Sequence, residues 1–416
     1  MIVSKPERRI GMLDTGRLNI GAYYLSLQAS TPEHVRDLAR CGIDVIVNMR
    51  NDCVALDLLA QNGVHAIVSG IVPGWFGGDG SNAGTMSEKN PLEKYVLAAE
   101  KFEDHPAIIG IDAGDEPSSL DFSHYGKAID MIHQHFPGKF AYLNIYPSYA
   151  VKGSNTPQEI AAQLGADSYE AYIECYVRNV NTPYICFDYY LYSSDLPGLY
   201  ESLTTVSKAC RKYDRDMWMV LQVNSNRPDV FVSENQLRFQ ANCALAFGAR
   251  TVIWACYCAG WWYNHVLDKQ GNKTEQYDKL KRVNEGLHSL GEAYMKYRHV
   301  QTHFVGDFSL EELSRTGESA AASLSTQCFC DLHAKGAELL VGEMLPADGS
   351  KGEALYITAA DDPGAQTIRT HRICFASDYE IQVIGSNGKI HLTQHEDDSF
   401  SFELDTCHGA LLIANR

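Results

Sequence analysis

Ala107-Ile108-Ile109-Gly110-Ile111-Asp112-Ala113-Gly114-Asp115-Glu116-Pro117-Ser118-Ser119 decides the fold. Its first half is an apolar run without polar alternation, the pattern of a parallel strand covered on both faces. Two carboxylates, Asp115 and Glu116, arrive at its end. Pro117 stiffens the exit, and Ser118 with Asp121 three residues later is a cap for a helix starting near Leu120 and running toward His135. Asp115 and Glu116 therefore stand on a strand-to-helix turn, where parallel α/β folds gather their chemistry. Taken alone, such a pair is more often a helix cap with a solvated neighbour, so the rest of the chain has to decide.

On both sides of this segment the same unit repeats. Strands are expected at Asn19–Tyr24, Ile43–Asn48 and Val64–Ser69, with the quoted run as the fourth, then at Ala141–Ile145, Ile185–Tyr190, Trp218–Val223 and Thr251–Cys256. A helix follows each, the last over about residues 276–297. Uniform strand-helix alternation argues a closed parallel barrel with helices outside. An open doubly wound sheet is the competitor, but no Gly-rich phosphate loop follows an early strand and no Walker pattern occurs. After about residue 301 short β-prone runs separated by turn residues replace the alternation, among them Ser386-Asn387-Gly388 as a hairpin signal. The expected fold class is α/β: a (β/α)8 TIM barrel over residues 1–300 followed by a small all-β sandwich over residues 301–416. The second part lacks Trp and concentrates no titratable groups, which suits a structural or interaction role.

Composition narrows the function. The 416 residues carry 35 Lys and Arg against 52 Asp and Glu, a formal net charge of -17, which disfavours nucleic acid and anionic membranes as partners. Twelve cysteines fall mostly inside apolar runs, as buried thiols in a reducing compartment do. Cys256/Cys258 and Cys328/Cys330 are Cys-x-Cys pairs, not the spacing of zinc knuckles, so neither a metal nor a cofactor is expected. No signal-peptide pattern opens the sequence and no run reaches the roughly 18 apolar residues of a membrane span. A cytoplasmic location is the expectation; the oligomeric state is not legible.

In a barrel the strand ends meet around one bowl. They supply Trp75, Asp115 with Glu116, Asn144 with Tyr146, Asp188 with Tyr189 and Tyr190, Gln222 with Asn224, and Trp254 with Tyr257. Aromatic platforms mixed with amides and carboxylates suit a neutral polyhydroxylated ligand, because sugar C–H faces stack on rings while hydroxyls need polar partners. The bowl is poor in Lys and Arg, which disfavours phosphate substrates.

Gly114-Asp115-Glu116-Pro117, Asn144-Ile145-Tyr146-Pro147, Asp188-Tyr189-Tyr190 and an aromatic eighth strand followed by a β-sandwich resemble TIM-barrel glycoside hydrolases over nearly the whole chain. In the retaining group that includes cellulases and β-galactosidases the strand-four motif is Asn-Glu-Pro, whose Glu is the acid/base. The resemblance assigns that role to Glu116, with Asp115 standing where Asn is expected. The same group carries a nucleophilic Glu at the end of strand seven, where this chain has Gln222, and a carboxamide cannot be that nucleophile. An adjacent Asp-Glu pair is instead similar to substrate-assisted β-N-acetylhexosaminidases, in which the Asp orients the attacking 2-acetamido group and a Tyr from a later strand holds its oxygen; Tyr189, Tyr190 and Tyr257 are the candidates. The resemblance therefore implies an O-glycosyl hydrolase acting on an oligosaccharide or glycoside, with Glu116 and Asp115 catalytic. Two alternatives stay open: a double-displacement or inverting enzyme using Asp188 as its second carboxylate, and a carbohydrate-binding barrel without catalysis.

Overall fold

The computed structural model describes residues 16–72, 83–151, 163–361, 364 and 368–415. Eight parallel strands close into a barrel in sequence order: β1 (Asn19–Tyr23), β2 (Val45–Arg50), β3 (His65–Ser69), β4 (Ile108–Asp115), β5 (Phe140–Ile145), β6 (Tyr184–Tyr189), β7 (Asp216–Gln222) and β8 (Ala249–Ala255), with β1 pairing both β2 and β8. Outside lie helices α1 (Pro32–Arg40), α2 (Cys53–Gln61), α3 (Met86–Lys89), α4 (Leu92–Ala99), α5 (Phe122–His135), α6 (Tyr169–Asn179), α7 (Leu196–Tyr213), α8 (Glu234–Ala246) and α9 (Glu275–Tyr294). Among the described residues, no helix is long and apolar enough to cross a membrane.

The barrel interior is packed rather than hollow. Tyr23, Val45, Ile67, Ile109, Phe140, Tyr142, Tyr184, Trp218 and Ile253 fill it, with Tyr184 stacked on Trp218 at 3.9 Å between ring centres. A separate apolar layer joins the outer strand faces to the helices.

One irregularity matters for chemistry. β4 pairs with β5 as Asp112↔Tyr142, Gly114↔Leu143 and Asp115↔Asn144, so Ala113 is an extra residue. Strict alternation would turn Gly114 inward after Asp112 and send Asp115 outward; the bulge returns Asp115 to the interior face. Gly114 makes this possible with φ of 139°, and a Cβ there would come within 2.8 Å of the Tyr125 ring.

The C-terminal part begins with β9 (Tyr297–Val305), directly after α9. With β10 (Ala320–Ala321), β11 (Cys330–Ala334), β12 (Leu339–Pro346), β13 (Gly352–Ala359), β14 (Thr370–Ala376), β15 (Glu380–Gly385), β16 (Gly388–Lys389), β17 (Thr393–Gln394), β18 (Ser399–Asp405) and β19 (Gly409–Asn415) it forms a seven-stranded sheet, β10-β9-β12-β13-β19-β15-β16, facing a four-stranded one, β11-β14-β18-β17. β9, β10 and β11 escape a sequence reading because their runs are polar or too short. The larger sheet docks on α8: Tyr356 Oη donates to Asn242 Oδ1 at 2.6 Å, and Asn242 Nδ2 donates to the Cys407 carbonyl at 2.7 Å. Gly342 lets β12 pass so close to α8 that an added Cβ would meet the Ala246 carbonyl at 2.3 Å.

Candidate active site

The carboxylates collect at the C-terminal end of β4, β5 and β6. Asn144, inward on β5, donates from one amide nitrogen to Asp115 Oδ1 at 3.0 Å and to Asp188 Oδ1 at 2.8 Å, which bridges the two acids. Its amide oxygen faces Cys186 Sγ at 3.6 Å, and that thiol also lies 3.5 Å from the Tyr142 hydroxyl, so the orientation of Asn144 is set from below. Tyr149, in the loop after β5, donates to Asp188 Oδ2 at 3.0 Å. Asp188 is also hydrogen-bonded to Glu116. Glu116 itself sits in the left-handed region at φ of 42°, with its N–H on the Asn144 carbonyl at 2.9 Å. A non-glycine residue held there is a strained backbone position that the surrounding structure must enforce.

Protonation follows from this packing. Burial pushes the Asp115 carboxyl up to about 7, helped by the charge of Asp188 and opposed by the Asn144 hydrogen bond. Burial likewise pushes Asp112 up to about 7, against a hydrogen bond from the Gly114 N–H at 3.0 Å. Asp188 is raised by burial too, while its contacts with Asn144, Glu116 and Tyr149 pull it back toward ionisation. A hydrogen bond between two carboxyls needs one proton between them. With Asp188 accepting from Asn144 and Tyr149 as well, that proton belongs on Glu116, the arrangement a general acid requires.

Aromatic rings wall the acids. Tyr190 is near enough to feel the charges of Asp188, Asp115 and Glu116, and its ring meets Trp261 at 6.1 Å and Trp262 at 5.1 Å. Trp261 in turn packs edge-on to Tyr23 and Tyr24, each at 5.8 Å. Tyr23 Oη lies 2.7 Å from Tyr142 Oη and closes the floor. Trp261 and Trp262 are half-buried, so part of each ring faces solvent. Among the described residues, no group of His, Cys, Asp and Glu is arranged to hold a metal ion.

Several expected site residues lie elsewhere. Trp254 points out of the barrel, where its Nε1 donates to Asn284 Oδ1 of α9 at 2.9 Å; its neighbours Ile253 and Ala255 are the inward ones. Tyr257 is buried on the outer side near Cys41, Asp37 and Tyr277. Tyr189 also faces outward, donating to the Asp195 carbonyl at 2.7 Å. Tyr146 is buried against Tyr172 of α6, with ring centres 6.4 Å apart. Gln222 and Asn224 fasten loops: Gln222 Oε1 accepts from the Tyr192 N–H at 2.9 Å, and Asn224 Nδ2 donates to the Trp261 carbonyl at 2.7 Å. Trp75 lies outside the described residues. Conversely, Tyr149, Tyr23, Tyr24 and Trp261 join the site without having been assigned to it. Tyr23 ends β1 and Tyr24 follows it, so both were open to the same strand-end rule; Tyr149 sits in a loop, where no periodicity points.

No family model matches this chain, and no curated protein matches it in sequence. Among solved structures, a cycloisomaltooligosaccharide glucanotransferase from Paenibacillus sp. superposes with a TM-score of 0.57 at 8% identity, over 96% of this chain and 85% of its own. A β-galactosidase from Halorubrum lacusprofundi gives 0.51 at 10%, covering 95% of this chain and 99% of its own. A family 5 glycoside hydrolase from Bacteroides vulgatus gives 0.51 at 9%, covering 96% and 89%. At such identities the likeness concerns architecture, and it establishes that the chain is a closed (β/α)8 barrel followed by an all-β part.

Proposed function

We propose that the protein is a glycoside hydrolase cleaving O-glycosidic bonds, with Glu116 as general acid/base and Asp188 as the second carboxylate. The observation that carries this reading is the hydrogen bond joining Glu116 to Asp188 inside an aromatic-walled basin. Glu116 delivers its proton to the glycosidic oxygen as the bond to the anomeric carbon breaks, and Asp188 attacks that carbon to form a glycosyl ester. Water then hydrolyses the ester, giving its proton back to Glu116. A hydrogen bond between the two carboxyls sets them nearer to the about 5–5.5 Å of retaining pairs than to the about 6.5–9.5 Å of inverting ones. Overall structural likeness to carbohydrate-active barrels supports the same substrate class.

A second reading is favoured by Asp115, turned into the same basin beside Glu116. There the 2-acetamido group of the substrate replaces Asp188 as nucleophile, and Asp115 orients it, with Tyr190 as the neighbouring ring. Aryl glycosides with and without the acetamido group, tested on the native enzyme and on Asp188→Asn, separate the two. The Asp188 reading expects turnover without the acetamido group and a loss of at least a thousandfold in Asp188→Asn. Turnover confined to acetamido sugars and insensitive to Asp188→Asn selects the second reading. Tight oligosaccharide binding with no turnover on any glycoside contradicts both and leaves a binding barrel.

A further inference from the structure

Glycoside hydrolysis employs a pair of carboxyls, yet this basin holds two more than Glu116 and Asp188. Asp112 and Asp115 stand on the inner face of β4, brought to the same side by the bulge at Ala113. Asp112 is 8% exposed and, among the described residues, accepts one hydrogen bond, from the Gly114 N–H to Oδ1 at 3.0 Å. Asp115 likewise accepts one, from Asn144 to Oδ1. The second oxygen of each is left without a donor, and among the described residues neither acid is paired with a Lys, Arg or His. Resting on the glycosidase reading, we infer that the sugar cleaved is a basic one, a 2-amino-2-deoxy glycoside whose unacetylated ammonium group is held by Asp115 and Asp112.

The walls of the basin point to an ammonium as much as its acids do. Tyr23 and Tyr24 stand close enough to feel the charges of both Asp112 and Asp115, and Tyr24 is half-buried with its ring 5.8 Å from that of Trp261. Ring faces attract an organic cation while carboxylate oxygens accept its N–H groups, so the two together select an amine over a hydroxyl. Without a counter-charge the buried acids favour their protonated forms, both carboxyls being pushed up to about 7; a cation seated against them restores ionisation. Among the described residues no group of His, Cys, Asp and Glu converges as metal ligands do, which leaves an organic cation as the partner. Where the amine sits on the sugar follows from the chemistry. Asp115 precedes Glu116 in the chain and shares the Asn144 amide with Asp188. Those two neighbours act at the glycosidic oxygen and at the anomeric carbon, so a cation at Asp115 belongs on the carbon next to the anomeric one. The net charge of -17 favours the approach of a cationic glycan.

The test compares kcat/KM on 4-nitrophenyl glycosides bearing a 2-amino, 2-hydroxyl or 2-acetamido group, as gluco and galacto sugars of both anomers, at a pH where the amine is charged. In the configuration that is turned over, the amine is expected to exceed the hydroxyl by at least about tenfold, and Asp112→Asn, which keeps the shape and removes the charge, to erase most of that preference through KM. The preference is a ratio read within each variant, so a general loss of activity cancels; Asp115→Asn is the second variant, with the same expectation. Equal turnover of amino and hydroxyl sugars, or a ratio unchanged in both variants, overturns the inference and leaves the hydrolase standing. A preference for the acetamido group also overturns it and selects the acetamido-assisted reading. If no glycoside is cleaved, the proposed function falls by itself, and calorimetric binding of glucosamine against glucose decides the inference. Binding of glucosamine at least about tenfold tighter, lost in Asp112→Asn, supports it; equal or absent binding overturns it.

Discussion

Glu116 does two things at once: it occupies a backbone conformation unfavourable for its side chain and, in the proposed mechanism, carries the proton delivered to the glycosidic oxygen. Its partner Asp188 is held by Asn144 and Tyr149, and each of these hydrogen bonds favours ionisation. Removing one donor should raise the Asp188 carboxyl. In the proposed mechanism Asp188 reacts ionised, so Tyr149→Phe is expected to move the acidic limb of the kcat/KM–pH profile upward while the alkaline limb stays; an unmoved profile would detach Tyr149 from Asp188. At this scale the sequence was partly legible. The acidic pair and Asp188 stood out by position, but Trp254, Tyr257 and Tyr189 were misplaced. Parallel strands buried on both faces show no alternation, so nothing in those runs says which side chains enter the barrel.

At the scale of elements, β4 is the decisive one, and its position was readable because β-branched residues run up to a turn. The bulge at Ala113 was not, since it arises from pairing with β5. Yet the bulge is what turns Asp112 and Asp115 to the same side. Gly114→Ala tests it: a Cβ at φ of 139° against the Tyr125 ring should cost about 2 kcal/mol of stability in urea unfolding and, by re-aiming Asp115, lower kcat/KM as well. A variant with native stability and activity would show that the bulge is not needed. The loops were the least legible elements, because a tyrosine such as Tyr149 is placed by long-range packing rather than by any local period.

The whole molecule carries the cost of burying these acids. The Asp112 carboxyl titrates near 7 when folded, against about 4 in an unfolded chain. The folded state therefore holds the extra proton between those values, so the stability associated with Asp112 is complete below about pH 4 and is lost as pH rises through 7, about 4 kcal/mol in all. Asp115 acts in the same sense. Asp112→Asn should flatten this slope, raising Tm at pH 8 with little change at pH 4.5; a parallel shift at both pH values would contradict it. The second global feature is the docking of the all-β part on α8. Gly342→Ala places a methyl group against the Ala246 carbonyl, and the expected result is a loss of about 2 kcal/mol, with calorimetry showing whether the two parts then melt separately. The division into barrel and β-rich part was visible in the sequence as a change of period, whereas the docking surface depends on a close backbone approach that no local pattern announces.

The most direct test of the central claim is the leaving-group dependence of Glu116→Gln. A carboxamide keeps the shape of the side chain but has no acidic proton to give. Hydrolysis of a glycoside with a poor, alkyl leaving group is expected to fall by several orders of magnitude, while a dinitrophenyl glycoside, whose departing oxygen needs no proton, still forms its glycosyl ester at close to the native rate. A uniform loss across leaving groups, or a loss under about tenfold on the alkyl glycoside, would show that Glu116 is not the proton donor.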